Sequence, residues 1–531
     1  QQHLGSAPGG QRRPAPRSSI AHPLSPGGAS LRGGAAGAAE FRLAGAFQHS
    51  VGFLEVGVAG SALLDAISSS SRTILENGTS SRFRAQELAN TAWAFASLAL
   101  CNHTLMSSIS SSSRTIIKQF SVQELASPSW SFSALHYEDR PLFDAISAEA
   151  LPTLTQSPDG GSGSGSDSAS PALSADTVLS LVRAFTDVGR LSGGLLAAAR
   201  DSLELLARRG EQEGGQEDAL ASSGSTASAL DSDTALHRPE GVSVVDIPLE
   251  QLTSEPCILL ARPRLCLLWK PAGWSAAVSY DEDDHAAESR LRVSGAGAVG
   301  EQSAAARRLQ DWLLLRFAAR RGLVRCAAAA HGLVHRLDRQ TSGAMLWAPR
   351  WSGFYAARLQ FAARRVRKGY ICLCLGLLPA QSPRMLAAPL QPGSAVASGS
   401  RRGRTEVVAA GGRRARTEVA NVCHLVGERG LEVSLVRVTL HTGQRHQIRA
   451  HLSNEGHPLV GDAAYGGGGT LCPTWCLRTF LHAWDLGLDI GEGAIIARVP
   501  LPLDLRQALE HLAPRDARAR VMLREWLPEG P

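Results

Sequence analysis

The sequence predicts an α+β fold for the C-terminal half of the chain and an all-α region before it. In residues 431–440, apolar side chains occupy odd positions up to 435 and even positions from 436, as in a strand with a one-residue slip at a β-bulge. Two helices are predicted in the same half, at 304–320 and 503–512. Upstream, the apolar residues of 88–96 recur at helical spacing and lie on one face.

Length and composition set broad limits on the class of protein. A chain of 531 residues is longer than one ordinary domain, and 44% hydrophobic residues suffice for a substantial core. The net charge of +6 is compatible with a polyanionic partner without establishing one. No apolar run reaches the length of about eighteen residues that a membrane span needs. Nine scattered cysteines predict buried, reduced thiols and not a disulfide framework.

The low-complexity segments predict the domain boundaries. Residues 1–40 are rich in Gly, Pro, Ser and Ala and hold no acidic residue before Glu40, which predicts a disordered leader similar to a transit segment. A plastid or mitochondrial location is therefore predicted, with cytoplasm or nucleus as the alternative. A Gly/Ser tract at 158–171 and a stretch at 211–240 predict flexible linkers. We therefore predict a helical-repeat domain at 41–210 and a second domain at 241–531.

The helical-repeat domain contains internal copies. ELANTAWAFA at 87–96 is echoed by ELASPSWSFS at 124–133, which predicts a helix-pair repeat. A degenerate copy is predicted at 177–205, and its apolar stripe consists of Val178, Leu181, Val182 and Phe185. The copies resemble the octotricopeptide and RAP-type repeats of algal and apicomplexan organelle RNA-binding proteins. That resemblance implies RNA binding; a helical solenoid without an RNA role is the alternative.

The most informative stretch is HRLDRQTSG at residues 335–343. Its Asp338 stands between Arg336 and Arg339, and neighbouring cations keep a carboxylate ionised. The glycine that ends it lets the backbone turn sharply or approach a ligand closely. The stretch therefore predicts an active-site loop in which Asp338 is a nucleophile or general base. A salt-bridged aspartate at a strand-to-turn junction is the alternative.

Further motifs follow in the same half of the chain. They are KPAG at 270–273, RVRKGY at 365–370, TGQRHQIRAHL at 442–452, GHPLVGD at 456–462 and LHA at 481–483. Together with the aspartate loop, these motifs resemble the RluA-type pseudouridine synthases. The resemblance implies that 241–531 is a catalytic domain with a mixed, mainly antiparallel sheet and a central RNA cleft. It also implies isomerisation of specific uridines in RNA to pseudouridine, without a cofactor.

The resemblance also implies roles for individual residues. Asp338 would act beside the ribose C1′ of a flipped-out uridine, Tyr370 would stack on the uracil, and Arg449 would form a bidentate pair with the Asp338 carboxylate. By the same resemblance, the substrate-binding residues are His335, Arg336, Thr341, Gly343, Lys368, Arg445, His446 and Gln447.

One position departs from the family pattern. Gln444 stands where the family usually has Arg or Lys, and the arginine is displaced by one place to Arg445. On a strand, such a displacement would aim the Arg445 side chain at the opposite face, which puts its role in doubt. Gln444 is also the motif-level feature that favours the alternative function, a non-catalytic RNA-binding protein in which a decayed synthase domain acts as a clamp.

The remaining features concern partners and metals. Arginines cluster at 401–416, where they form either a phosphate-gripping loop or a solvated insertion. Cys472 and Cys476 have metal-like spacing near His482, but a second ligand pair is missing, so no metal site is predicted. We expect ribosomal or transfer RNA as the substrate and no membrane partner. The repeats bind either RNA or a protein partner, and the oligomeric state is left open.

Overall fold

A computed structural model describes most of the chain. The described residues are 68–69, 83–155, 173–221, 243–276, 307–318, 322–393, 404–409, 411–466 and 473–527, without the side chains of 213–221. They all fall in one compact unit, Ser50–Pro531. The predicted leader, the linker at 158–171 and most of the linker at 211–240 lie outside the described residues. Within the described part, no helix has the length and apolar character needed to cross a bilayer.

The N-terminal part of the described chain consists of helices arranged in pairs. They are α1 (Ala85–Ser97), α2 (His103–Thr115), α3 (Val122–Ala134), α4 (Arg140–Thr155), α5 (Ala175–Asp187) and α6 (Gly193–Ala221). α1 packs on α3 and α3 on α5, while α2, α4 and α6 form a second row beside them. Three helix pairs are therefore stacked. α6 extends beyond residue 210, so the predicted linker begins within this helix.

Repeated local signals explain these helices. α1 and α3 each begin with a capping box. In each, the glutamate at the third helical position accepts a hydrogen bond from the backbone N–H of the residue that precedes the helix. α1, α3 and α5 end alike: the carbonyls of Phe95, Phe132 and Phe185 each accept from the backbone N–H five residues later. The apolar stripes that the sequence predicted in α1 and α5 are buried.

A mixed sheet forms the second part of the molecule. Its strands are β1 (Ser243–Asp246), β2 (Cys257–Ala261), β3 (Cys266–Lys270), β4 (Ser342–Trp347), β5 (Arg367–Leu375), β6 (Arg384–Leu386), β9 (Thr417–Val426), β10 (Glu432–Leu440), β11 (Leu481–Leu488), β12 (Ile495–Arg498) and β13 (Ala513–Pro514). β7 (Leu390–Pro392) and β8 (Thr405–Val407) form a separate hairpin.

The main order across the sheet is β13-β9-β10-β5-β11-β4-β3-β2. Neighbours are antiparallel except for β11 with β4, and β1 pairs parallel with β12 beside it. The predicted α+β class and the mixed, mainly antiparallel sheet are therefore confirmed.

Helices cover both faces of this sheet. They are α7 (Leu309–Phe317), α8 (Gly322–Arg325), α9 (Trp351–Ala362), α10 (Gln447–Asn454), α11 (Leu503–Glu510) and α12 (Ala517–Trp526). α7 and α11 lie within the two helical segments predicted from the sequence. One core cluster joins α7 and α10 to the sheet, another joins α9, and a third joins α11 and α12.

The predicted bulge between residues 435 and 436 is wrong. β10 pairs with β5 in one unbroken register from Val433 to Thr439. The slip occurs on the neighbouring strand, where Ala420 of β9 is left without a partner in β10. The apolar pattern changes phase because Leu435 packs on the α11–α12 side and Val436 on the α7–α10 side, so the strand is buried on both faces.

Candidate active site

A cleft of about 460 Å³ opens between the Asp338 loop, β5, α9, the start of α10 and α5 of the helical region. Every predicted site residue lines it except Gly343: His335, Arg336, Asp338, Thr341, Lys368, Tyr370, Arg445, His446, Gln447 and Arg449. Three separate motifs of the sequence therefore meet in one place.

A buried lysine at the end of β3 holds the backbone of the loop that carries Asp338. Lys270 is fully buried, and its Nζ donates to the carbonyls of Pro271, Arg339 and Thr341 at 3.0, 3.2 and 2.7 Å. Burial, followed by repulsion from Arg478, lowers the pKa of Lys270 to about 7. Lys270 therefore positions the loop and does not contact the cleft.

Arg478 holds the far end of the same loop. Its guanidinium donates to the carbonyl of Gln340 at 2.9 Å and to the hydroxyl of Ser342 at 3.0 Å. It also pairs with Asp504 at 2.5 Å, which fixes its own orientation. Two cations from distant parts of the chain thus hold the backbone that follows Asp338, between Arg339 and Ser342.

Gly343 serves the packing of strands. It pairs with Lys270 of β3 on one side and with Ala483 of β11 on the other. Its φ is +144°, and a Cβ at this position would lie 2.4 Å from the carbonyl oxygen of Ala483. The glycine of the motif allows three strands to approach closely where the loop that carries Asp338 ends.

Asp338 is held by Arg449, which in turn is held by a second aspartate. Arg449 Nη1 donates to Asp338 Oδ2 at 3.2 Å, while its Nε and Nη2 donate to the two oxygens of Asp462 at 2.7 and 2.9 Å. The bidentate pair predicted between Arg449 and Asp338 is therefore wrong: the bidentate partner is Asp462. This arrangement leaves one face of the Asp338 carboxylate available to the cleft.

Charge keeps Asp338 ionised. Burial alone would raise its pKa, but His446, Arg449 and Arg336 outweigh burial and lower the pKa of Asp338 to about 2. His446 Nε2 lies 4.0 Å from Asp338 Oδ1, and burial lowers the pKa of His446 to about 4. At neutral pH the site therefore holds a carboxylate beside a neutral imidazole.

Tyr465 supports this pair from the side opposite the cleft. Its ring lies 4.9 Å from the Arg449 guanidinium, and its hydroxyl lies 3.1 Å from His446 Nδ1. The same hydroxyl donates to the carbonyl of Thr405 and accepts from the Thr405 backbone N–H. The β7–β8 hairpin is thereby linked to the active site.

The segment around Gln444 is a turn, so the register argument that doubted Arg445 is wrong. β10 ends at Leu440 and α10 begins at Gln447, and His446 between them has a left-handed φ of 53°. Alternation between strand faces does not apply to such a turn, and Arg445 lines the cleft.

Gln447 organises that turn from within. Its Oε1 accepts from the hydroxyl of Thr442 at 2.7 Å and from the backbone N–H of Gln444 at 3.0 Å. Its Nε2 donates to the carbonyl of Arg416 at 3.0 Å. The Gln444 side chain donates to the carbonyl of Arg414 at 3.1 Å, so it ties the turn to the arginine-rich segment.

Three further predicted residues, Tyr370, Lys368 and His335, also line the cleft. Tyr370 is buried on β5, and burial raises the pKa of its hydroxyl further above the physiological range. Lys368 Nζ donates to the carbonyl of Thr442 at 3.2 Å. His335 Nε2 accepts from the backbone N–H of Leu346 at 2.9 Å, and burial lowers its pKa to about 3, so this histidine is a neutral anchor for the loop.

Sequence reasoning missed several residues of the site. Asp462 ended the quoted GHPLVGD motif and Tyr465 follows it by three residues, but no role was assigned to either because nothing local shows that they meet Arg449. Lys270 was quoted in the KPAG motif without a role of its own. No signal in the sequence placed α5 at the cleft, where Asp176, Leu179, Ser180 and Arg183 line it.

The metal and basic-loop hypotheses are only partly covered by the described residues. No group of three or more His, Cys, Asp or Glu side chains within them is placed to hold a metal ion. Cys472, Arg401 and Arg402 lie outside them. Of the described arginines in 401–416, Arg404 lies over the Tyr465 ring at 4.4 Å and Arg414 donates to the carbonyl of Asp187.

Comparison with known proteins points to one family. The model of the RNA pseudouridylate synthase family matches residues 328–454. An uncharacterized RNA pseudouridine synthase of Chloroflexus aurantiacus is 36% identical over 192 residues, which are 35% of this chain and 54% of that protein. The ribosomal large subunit pseudouridine synthase C of Escherichia coli strain K12 is 33% identical over 198 residues, 35% of this chain and 57% of that protein.

Ribosomal large subunit pseudouridine synthase D of Xylella fastidiosa is 31% identical over 207 residues, 37% of this chain and 58% of that protein. The chain thus spans little more than half the length of these relatives. Among solved structures, human RNA pseudouridylate synthase domain containing 1 is 22% identical, with a TM-score of 0.36, and is aligned over 52% of this chain and 98% of its own.

Proposed function

We propose that this protein isomerises uridine in RNA to pseudouridine, with Asp338 as the catalytic carboxylate. One observation carries the proposal: an ionised Asp338 lines the cleft and is oriented by Arg449, which Asp462 fixes in turn. The family match supports it, because residues 328–454 include Asp338, Tyr370 and Arg449.

The geometry suits the chemistry of this isomerisation. The bond between uracil N1 and ribose C1′ breaks, the base turns, a bond forms between C5 and C1′, and the proton on C5 is lost while N1 gains one. No redox change occurs and no group is supplied from outside. A carboxylate that stays ionised is available either to add to the sugar or to remove a sugar proton.

The surrounding residues define the pocket for the base. Tyr370 offers a buried ring on one wall, so we assign it to stacking on the uracil. Arg336 and Arg445 line the rim and are placed to contact RNA that surrounds a flipped-out nucleotide. Thr341 is buried, and its backbone accepts from Lys270, so it supports the loop that presents Asp338.

Ribosomal or transfer RNA is the substrate class that we propose. The curated relatives named above include two enzymes of the ribosomal large subunit. The composition of residues 1–40 supports a plastid or mitochondrial location.

Replacement of the carboxylate tests the proposal. Asp338→Asn keeps the side-chain volume but removes the nucleophile and base, so product should disappear while RNA affinity changes by no more than a few-fold. The measurement is a pseudouridine map of cellular RNA after incubation with wild-type or variant protein, together with filter binding. Asp201→Asn, an exposed aspartate on α6, is the matched control.

Two outcomes would contradict the proposal. Retained product in Asp338→Asn would show that another group is the catalytic carboxylate. A wild-type protein that binds RNA but converts no uridine in any cellular RNA would favour the non-catalytic clamp instead.

A further inference from the structure

One helix of the N-terminal region forms part of the cleft wall. α5 packs against α9 of the synthase part, and four of its residues line the cleft. Asp187 at the end of α5 pairs with Arg364, and Asp176 at its start pairs with Arg358 at 3.0 Å. Arg414 donates to the carbonyl of Asp187 at 2.7 Å. These contacts anchor both ends of α5 beside the active site.

Arg183 stands between these two anchors with a different environment. The two aspartates of α5 pair with Arg358 and Arg364. By contrast, no carboxylate of the described residues lies within 4 Å of the Arg183 guanidinium. Arg183 is exposed and lines the same cleft as Asp338. Asp187 acts on Arg183 only at longer range, so this arginine brings to the cleft a positive charge without a direct ion pair among the described residues.

Lys368 adds a second positive charge on the facing wall. Its Nζ donates to the carbonyl of Thr442 and lies 5.9 Å from the centre of the Phe361 ring. Burial, and then repulsion from Arg364 and Arg183, lowers the pKa of Lys368 to about 8. An anion placed between Arg183 and Lys368 would offset this repulsion.

We propose that Arg183 of α5 and Lys368 of β5 together bind a phosphate of the RNA backbone next to the target uridine. This inference rests on the proposed function. It makes the helical region a wall of the substrate site and a determinant of which RNA enters it.

RNA is the partner that these observations favour over an acidic protein. The two cations line the same cleft as Asp338, so an RNA that presents a nucleotide to the carboxylate brings its backbone close to them. Unstacking that nucleotide costs a few kcal/mol, and phosphate contacts are what position a nucleic acid on a protein. The planar guanidinium of an arginine can donate two parallel hydrogen bonds to one phosphate, which suits this position.

Charge reversal at Arg183 in the full chain tests the inference. Arg183→Ala and Arg183→Glu are compared with Arg200→Ala and Arg200→Glu, an exposed arginine on α6 that pairs with its neighbour Asp201. The probe is a fluorescein-labelled hairpin RNA with uridines in its loop, titrated by anisotropy at several salt concentrations. Pseudouridine formed in cellular RNA at saturating protein is measured in parallel.

We expect Arg183→Glu to weaken RNA binding about tenfold or more, and Arg183→Ala to reduce the salt slope of log affinity by about one. Product formed at saturating protein should fall less than the RNA affinity does, and the Arg200 variants should match wild type throughout. Arg183→Lys should restore most of the affinity, because the charge is retained.

Several outcomes would overturn the inference. If Arg183→Ala has the RNA affinity, salt slope and thermal unfolding of wild type, Arg183 does not contact phosphate. The exposed part of α5 would then be assigned to a protein partner. If uridines are converted normally while Arg183 is dispensable, only this inference fails. If no uridine is converted but Arg183 still controls RNA affinity, the proposed function fails and the phosphate site remains.

Discussion

At the scale of single residues, the site is organised by buried cations that support an anionic group. Lys270 and Arg478 hold the backbone of the aspartate loop, and Arg449 holds the Asp338 side chain. A charged lysine without a carboxylate partner is costly to bury, so its presence is explained by the three carbonyls that it joins. Burial of Lys270 therefore fixes the position of the loop but lowers the free energy of unfolding of the protein.

Lys270 gives a prediction for the pH dependence of stability. Its pKa falls from an ordinary value of 10.5 to about 7 in the folded protein, so between these values the unfolded chain binds more protons. The free energy of unfolding should therefore rise with pH across this window. Lys270→Met should lose that rise, and loss of a charge-assisted contact to the loop should slow turnover by roughly thirtyfold.

Urea unfolding at about pH 7 and about pH 9.5 measures this difference. Lys118→Met, an exposed lysine of the helical region, should keep the wild-type dependence. Parallel pH profiles for wild type and Lys270→Met would show that Lys270 stays charged in the folded state.

At the scale of elements, the active site lies where strands and a turn come unusually close. β3, β4 and β11 meet at Gly343, and the turn before α10 is fastened by Gln447. Strand β10 carries apolar residues on both faces because helices cover both sides of the sheet. The loops gain their positions from these closely packed elements.

Gly343→Ala tests the close approach. The added Cβ would lie 2.4 Å from a backbone oxygen of β11, which cannot move away without disturbing the sheet, so we expect a loss of about 3 kcal/mol in stability. Gly456→Ala is the control, because this glycine has a φ of +84° but no neighbour within 4 Å. It should lose only about 1 kcal/mol, from backbone strain. Equal losses in urea unfolding would mean that β11 relaxes at Gly343.

At the scale of the whole molecule, the helical region is packed against the part that contains the sheet. α5 and α6 contact α9, and Asp187 pairs with Arg364 in a largely buried position. The α1 end of the stack also reaches the part that contains the sheet, where Ala99 Cβ lies 3.1 Å from the position that a Cβ on Gly411 would take. The helix stack thus contacts the arginine-rich segment that precedes β9 in the chain.

Asp187→Ala tests whether this packing couples the two parts. Removal of the acid leaves Arg364 buried without its partner, so we expect a loss of about 3 kcal/mol and faster hydrogen exchange in both α5 and α9. Asp144→Ala removes an exposed pair with Arg190 and should cost no more than about 1 kcal/mol. If Asp187→Ala costs no more than this control, the predicted domains at 41–210 and 241–531 are energetically independent.

The sequence predicted which residues line the cleft better than it predicted their contacts. Asp338, Tyr370 and Arg449 were predicted from short motifs, and all three line one cleft. The bidentate partner of Arg449 was assigned wrongly, since motif spacing does not report which of two aspartates a guanidinium faces. The doubt about Arg445 arose because the segment around Gln444 was taken for a strand. It is a turn, and a side-chain hydrogen bond from Thr442 to Gln447 holds it.

By itself, the sequence determined the α+β class, the helical stripes and the candidate carboxylate, because these depend on local periodicity and on motifs of a few residues. Only the tertiary structure decided that Asp462 orients Arg449, that Lys270 supports the loop and that α5 borders the cleft. These features depend on contacts between distant parts of the chain, such as Arg449 with Asp338 at a separation of 111 residues and Arg414 with Asp187 at 227. Such contacts are set by how the elements pack together, and no local pattern encodes them.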